Sequence, residues 1–267
     1  MNHPLPCDDT VDLGHALHGH GPEKVLVLHD WNGDGTTYDP LRPYLDGTAF
    51  TYAFADLRGY GRSMHLAGRH TVAEVSRDIL RLADRLEWPT FHVVGHSMTG
   101  MAVQRIAVDA TQRVRSATAI CPVSAAGSPV DDATFEFMAR TADSDEHLRR
   151  LLRFVSGTLS ERWVESKVEH CRRTVSRSCR VGYLSMFTGT DFSAEVAGLP
   201  TPFLVVVGDH DPGIDEAAMA KTFLAWHPNA ELQVMRDCGH YPMQECPPRL
   251  ATVLEAHLRR HAGPPPR

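Results

Sequence analysis

The chain has 267 residues, 42% hydrophobic and 22% charged, a globular balance long enough to bury one large α/β core. Its formal net charge of −6 leaves no basic excess for nucleic acid or an anionic membrane surface, and its most apolar runs, 25–28 and 203–207, are far too short to cross a bilayer. The six cysteines include no CxxC pair and read as reduced thiols, and residues 1–9 hold no apolar stretch of a secretory leader, so the expected compartment is the cytoplasm and the expected partner a small molecule.

Short β-branched runs alternate with longer amphipathic stretches along the chain. Strands are expected at 11–17, 24–28, 50–55, 91–94, 117–120, 203–207 and 231–235. Helices are expected at 39–45, 71–86, 98–108, 215–226 and 247–260. In the second of these, Val72, Val75, Ile79, Leu82 and Leu86 recur three or four apart, and Thr71 with Glu74 forms a capping-box start. Such alternation implies a mostly parallel central sheet flanked by helices, the α/β class. The run Phe203–Val207 is continuously apolar, as a strand buried on both faces requires.

The stretch 122–199 breaks this rhythm. It lacks strand-like runs, and helical pieces are expected at 131–141, 145–156, 160–174 and 177–188. The expected organisation is one structural domain: a core of 1–125 and 195–267, with a helical cap inserted over 126–194. The tail 263–267 is expected to fray.

Chemistry concentrates at 91–101, where an apolar strand runs into Gly95-His96-Ser97-Met98-Thr99-Gly100 and a helix follows. This is close to the G-x-S-x-G nucleophile elbow, which lifts a serine Oγ above the carboxyl edge of a sheet and aims a helix N-terminus at the developing oxyanion. Thr99 stands where that pattern has glycine. A loop serine capping the helix is the plainer alternative, but it leaves the glycine-bracketed turn unexplained. A serine needs a base, and among the histidines His240 lies after the last expected strand and before the last helix, at the edge where open α/β sheets bind ligands. The acid belongs on the loop after the preceding strand, where 208–213 offers both Asp209 and Asp211.

Five segments in order carry a resemblance: 28–33 (Leu-His-Asp-Trp-Asn-Gly), 56–63 (Asp-Leu-Arg-Gly-Tyr-Gly-Arg-Ser), 95–100, 208–211 and 239–242 (Gly-His-Tyr-Pro). Over about 22–125 and 195–262 the chain resembles the α/β-hydrolase superfamily, in its lipase/esterase-like branch with a small helical cap. The resemblance implies an α/β-hydrolase fold and selects Asp211, the last residue of the G-x-x-D segment. It also implies an oxyanion hole made by the backbone N–H groups of Trp31 and Met98, with Asp30 where relatives carry glycine. His29 and Arg58 read as structural; Asp30, His96 and Tyr241 are candidate pocket residues.

A serine nucleophile favours attack on a carbonyl, where dehalogenase and epoxide-hydrolase relatives use aspartate. The expected activity is therefore hydrolysis of a small or medium carboxylic ester through an acyl-enzyme on Ser97, with no cofactor. The same groups also suit an amide, lactone or carbon–carbon bond, or peracid formation. The fold alone also serves ligand-binding sensors with low turnover. His15, His18 and His20 lie close together without an acid or cysteine at ligand spacing, so no metal is expected. The cap arginines Arg172, Arg173, Arg177 and Arg180 read as a solvated helix face.

Overall fold

The computed structural model describes residues 11–156 and 159–263; the expectations for 1–9 and for the tail beyond 263 fall outside them. Seven strands form one sheet: β1 (His15–Gly19), β2 (Glu23–Leu28), β3 (Phe50–Ala55), β4 (Phe91–His96), β5 (Val114–Ile120), β6 (Phe203–Gly208) and β7 (Ala230–Met235). Their order is β1-β3-β2-β4-β5-β6-β7. Only β1 runs antiparallel, pairing with β3 from His15↔Ala55 to Gly19↔Thr51; every other pairing is parallel. The strand expected at 11–17 therefore sits a few residues later, because its register is set by β3 rather than by its own pattern. β3, β4 and β6 are buried along their whole length, as helices on both faces demand.

The core helices are α1 (Val72–Arg85) and α2 (Met98–Asp109). Thr71 caps α1 by accepting the Glu74 N–H, and Val72, Val75, Ile79 and Leu82 turn inward. Between β5 and β6 the chain leaves the sheet for α3 (Asp132–Arg140), α4 (Asp145–Ser156), α5 (Glu161–Thr174), α6 (Arg177–Gly189) and the short α7 (Ser193–Val196). Asp131, Ser160 and Ser176 cap three of these by accepting a backbone N–H three residues on. After β6 come α8 (Glu216–Lys221) and α9 (Phe223–Trp226), and after β7 come α10 (Pro242–Glu245) and α11 (Pro247–Arg260).

Two expected helices are not continuous. Over 39–45 the chain makes only a 3-10 turn at Arg42–Tyr44, following another at Gly35–Tyr38, since Pro40 and Pro43 remove donors that a helix needs. The stretch 215–226 breaks at Thr222 (φ −120°, ψ −93°). There the hydroxyl donates to the Ala218 carbonyl at 2.8 Å and competes with the helical ladder, while Phe223 turns into the core against Phe203.

Candidate active site

The serine turn is built by close approach. Ser97 has φ 58° and ψ −117°, between the end of β4 and the start of α2. That left-handed backbone is costly for a residue with a Cβ and holds only where surroundings enforce it. Here the Ser97 N–H donates to the Ile120 carbonyl and the Ser97 carbonyl accepts from Val123 N–H, both at 2.9 Å. A Cβ on Gly95 would stand 2.4 Å from the Thr99 carbonyl oxygen, so strand and helix meet only across a glycine. Thr99, in the position where the pattern has glycine, is tolerated because its hydroxyl is used. Thr99 Oγ1 accepts the His96 N–H at 2.9 Å and lies 3.0 Å from the carbonyls of His29 and His96.

Ser97, His240 and Asp211 lie in one hydrogen-bonded line. His240 Nδ1 is 2.7 Å from Asp211 Oδ2, and its Nε2 is 2.9 Å from Ser97 Oγ. A carboxylate only accepts, so Nδ1 carries the proton and Nε2 is left to accept from the serine hydroxyl. Burial pulls the His240 imidazole down, but the Asp211 charge and hydrogen bond outweigh it and hold it above its ordinary value. Asp209 points elsewhere: its Oδ1 accepts the Cys238 N–H at 3.3 Å, and its Oδ2 faces Arg236 at 3.7 Å. The two loops touch through glycine again. A Cβ on Gly208 would lie 2.2 Å from the carbonyl oxygens of Cys238 and Gly239. His210 N–H donates to the Cys238 carbonyl at 2.9 Å and so ties the acid loop to the histidine loop. Glu245 accepts from Gly239 N–H at 2.7 Å and Tyr241 N–H at 2.9 Å, one on each side of His240. His240 N–H itself donates to the Val155 carbonyl in the last turn of α4 at 3.2 Å.

Trp31 and Met98 both line the cavity at Ser97. Met98 opens α2, so its N–H has no acceptor within the helix. The Trp31 peptide is oriented from below. His29 Nε2 accepts the Leu57 N–H at 3.1 Å, which leaves Nδ1 protonated to donate to the Asp30 carbonyl at 2.7 Å. The N–H of Trp31 belongs to that same planar peptide and points the opposite way. The next peptide is fixed as well, because the Trp31 carbonyl accepts from Tyr60 OH at 3.1 Å and lies 3.5 Å from Arg180 Nη1.

Asp30, His96 and Tyr241 are buried beneath the cavity and are not among its lining residues. Asp30 Oδ2 accepts from Asn32 N–H and Tyr241 OH, both at 3.0 Å, while Oδ1 faces Thr37 Oγ1 at 3.2 Å and Lys167 Nζ at 3.7 Å. Burial raises this carboxyl, but the Lys167 charge, with help from the Asn32 N–H bond, outweighs it and keeps it well below the usual carboxylate range. The aspartate thus restrains the loop that the missing glycine would have freed. His96 Nε2 donates to the His240 carbonyl at 2.7 Å. Arg58 is a structural side chain, forked onto Asp78 at 2.6 and 2.8 Å.

Arg180 is not on a solvated face. It is 2% exposed, lies 4.1 Å over the Trp31 ring, and donates to Asn32 Oδ1 at 2.8 Å and Thr141 Oγ1 at 2.9 Å. The Trp31 indole N–H returns a bond to the Arg180 carbonyl at 2.8 Å. Among the described residues no carboxylate lies within ion-pair distance of it. Sequence reasoning also passed over Asn32 and Lys167, whose partners lie far along the chain, and Glu245, whose bonds to Gly239 and Tyr241 are local.

Above Ser97 is a cavity of about 320 Å³ whose lining includes Val123, Phe137, Met138, Leu151, Phe187 and Ile214. Among the described lining residues none is an Asp, Glu, Lys or Arg. Two further aromatic residues of the inserted helices pack elsewhere: Trp163 on Tyr241 and Tyr183 on Tyr60.

The chain is 29% identical over 96% of its length to a dihydrolipoyllysine-residue acetyltransferase component of an acetoin cleaving system from Cupriavidus necator, of which it spans about two thirds (67%). It is 28% identical to a pimeloyl-[acyl-carrier protein] methyl ester esterase from Nitrosomonas europaea, over 89% of this chain and 96% of the other. An esterase structure from Exiguobacterium antarcticum superposes with a TM-score of 0.82 at 14% identity, covering 92% of this chain and 95% of that one. No described helix is long and apolar enough to cross a membrane. The model of the alpha/beta hydrolase family matches residues 17–253, so the chain belongs to that family and is a hydrolase.

Proposed function

We propose that this hydrolase cleaves a small or medium carboxylic ester through an acyl-enzyme on Ser97. The observation that carries the reading is the line from Asp211 Oδ2 through His240 to Ser97 Oγ, with spacings of 2.7 and 2.9 Å, at the floor of an apolar cavity. His240 Nε2 takes the Ser97 proton as Oγ attacks the ester carbonyl. The tetrahedral oxyanion settles between the N–H groups of Trp31 and Met98. His240 then protonates the leaving alcohol, and afterwards draws a proton from the water that releases the acid. Asp211 keeps the imidazole in the required tautomer and stabilises imidazolium without taking the proton. The cavity of about 320 Å³ is at the small end of ligand sites, which run from about 300 to 1,000 Å³. Its uncharged lining suits a neutral acyl group, and the esterase named among the relatives supports the same bond type.

The test is a fluorophosphonate probe together with a panel of short p-nitrophenyl esters, amides and lactones. Expected are covalent labelling at Ser97, fastest turnover on a short apolar ester, and loss of both in Ser97→Ala. Labelling without turnover of any ester would overturn the ester assignment in favour of another acyl bond or a ligand sensor. An unlabelled wild-type protein would overturn the nucleophile.

A further inference from the structure

Two thiols flank the proposed base. Cys238 lies two residues before His240, and Cys246 immediately precedes α11. Their sulfurs are 3.4 Å apart, with Cys246 Sγ donating to Cys238 Sγ. Cys238 is fully buried, whereas Cys246 is partly exposed. The other described cysteines, Cys121, Cys171 and Cys179, are all buried. One accessible sulfur therefore stands in contact with one inaccessible sulfur, the arrangement a two-thiol oxidation needs: one to meet the oxidant, one to resolve it.

We propose that Cys238 and Cys246 are an oxidisable pair which closes to a disulfide under a hydroperoxide and, by moving the segment that carries His240, slows hydrolysis. The slowing rests on the function proposed above; the bond itself does not. Cys246 is the one of the two sulfurs that solvent reaches, so it is the one that meets the peroxide as a thiolate. Cys246 sulfur takes the distal oxygen of hydrogen peroxide and the O–O bond breaks, giving a sulfenic acid and a hydroxide that leaves as water. Cys238 sulfur then attacks Cys246 sulfur, the S–O bond breaks, and the departing hydroxide takes the Cys238 proton as a second water. The two sulfurs are oxidised to one disulfide and the peroxide is reduced to two waters.

The consequence follows from what Cys238 holds. To bond, the sulfurs must close from 3.4 Å to about 2.05 Å. The Cys238 carbonyl accepts His210 N–H at 2.9 Å and its N–H donates to Asp209 at 3.3 Å. A shift at Cys238 therefore reaches the Asp211 loop and the His240 loop together. Misplacing a catalytic group by about 1 Å costs on the order of 10²-fold in rate.

The experiment uses the full reduced chain treated with a few equivalents of hydrogen peroxide. It is read by intact mass, by mapping of unreduced peptides, and by turnover of the best p-nitrophenyl ester. Expected are loss of two hydrogens, a single Cys238–Cys246 linked peptide, and turnover lowered at least about tenfold. Dithiothreitol restores all three. Cys246→Ser, near in size at a position whose side chain makes no capping bond, retains wild-type turnover when reduced and resists peroxide. Accumulation of a sulfinic acid on Cys246 with Cys238 untouched, a link through Cys121 or Cys7, or a correct link with undiminished turnover each overturns the proposal. Fluorophosphonate labelling of the reduced chain separates the two readings: a chain that links correctly yet never labels sinks the serine mechanism, not the thiol pair.

Discussion

His240, the proposed base, can work only while it is deprotonated, and its surroundings set where that happens. Burial lowers its affinity for a proton, and Asp211 raises it by more. A base held above the usual value of about 6.5 stays protonated to higher pH. kcat/KM is therefore expected to fall on the acid side with an apparent pKa above that value. Asp211→Asn removes the raising charge and leaves the burial, so the acid limb moves to lower pH while kcat drops on the order of 10⁴-fold. Asp209→Asn keeps an amide oxygen for the Cys238 N–H and is expected to stay within about tenfold of wild type, against the 10⁴-fold scale of a lost triad acid. Equal damage from both substitutions, read in full pH–rate profiles, would count against Asp211 as the acid. Spacing alone left these two residues open; the G-x-x-D resemblance chose between them, and the geometry puts only Asp211 against the imidazole.

At the scale of elements, the loop after β2 and helix α6 are locked together. Arg180 reaches from α6 to the Trp31 ring, the Asn32 amide and Thr141, and the Trp31 indole bonds back to α6. A buried guanidinium is costly unless its donors are satisfied, so this contact fixes where α6 sits and where Trp31 sits at once. Arg180→Met keeps the length and removes the donors. Trp31 is a proposed oxyanion donor; losing one such donor costs about 10²–10³-fold in kcat, and displacing it is expected to cost part of that, with KM little changed and circular dichroism native. A rise in KM at constant kcat would instead assign Arg180 to substrate binding. The cap helices were legible because the stretch 122–199 lacks strand-like runs and is rich in helix formers. The burial of Arg180 was not, because an arginine-rich helix reads as solvated until its partners, about 150 residues away in the chain, are known.

The whole molecule carries neutral histidines inside. Burial holds His92, His96 and His257 down to about 3 and His227 to about 4. In the unfolded chain the same rings titrate near 6.5. As pH falls below that value the unfolded state takes up protons that the folded state refuses, so stability is full above about 6.5 and falls steadily toward 4. Thermal melting across pH 8 to 4 is expected to show a flat upper region and a continuous decline below; a midpoint unchanged at the acid end would contradict neutral burial. The sheet was readable from β-branched runs because a parallel sheet covered on both faces allows little else. The breaks at 39–45 and at Thr222 escaped the helical period, since prolines and a threonine hydroxyl act locally against it. Finally, the bond from His240 N–H to Val155 means the inserted helices are no interchangeable hat. Grafting another relative's insertion onto this sheet would take away an acceptor that the imidazole's own backbone uses, so chimaeras designed to change selectivity must carry the end of α4 with them or lose the reaction along with the old preference.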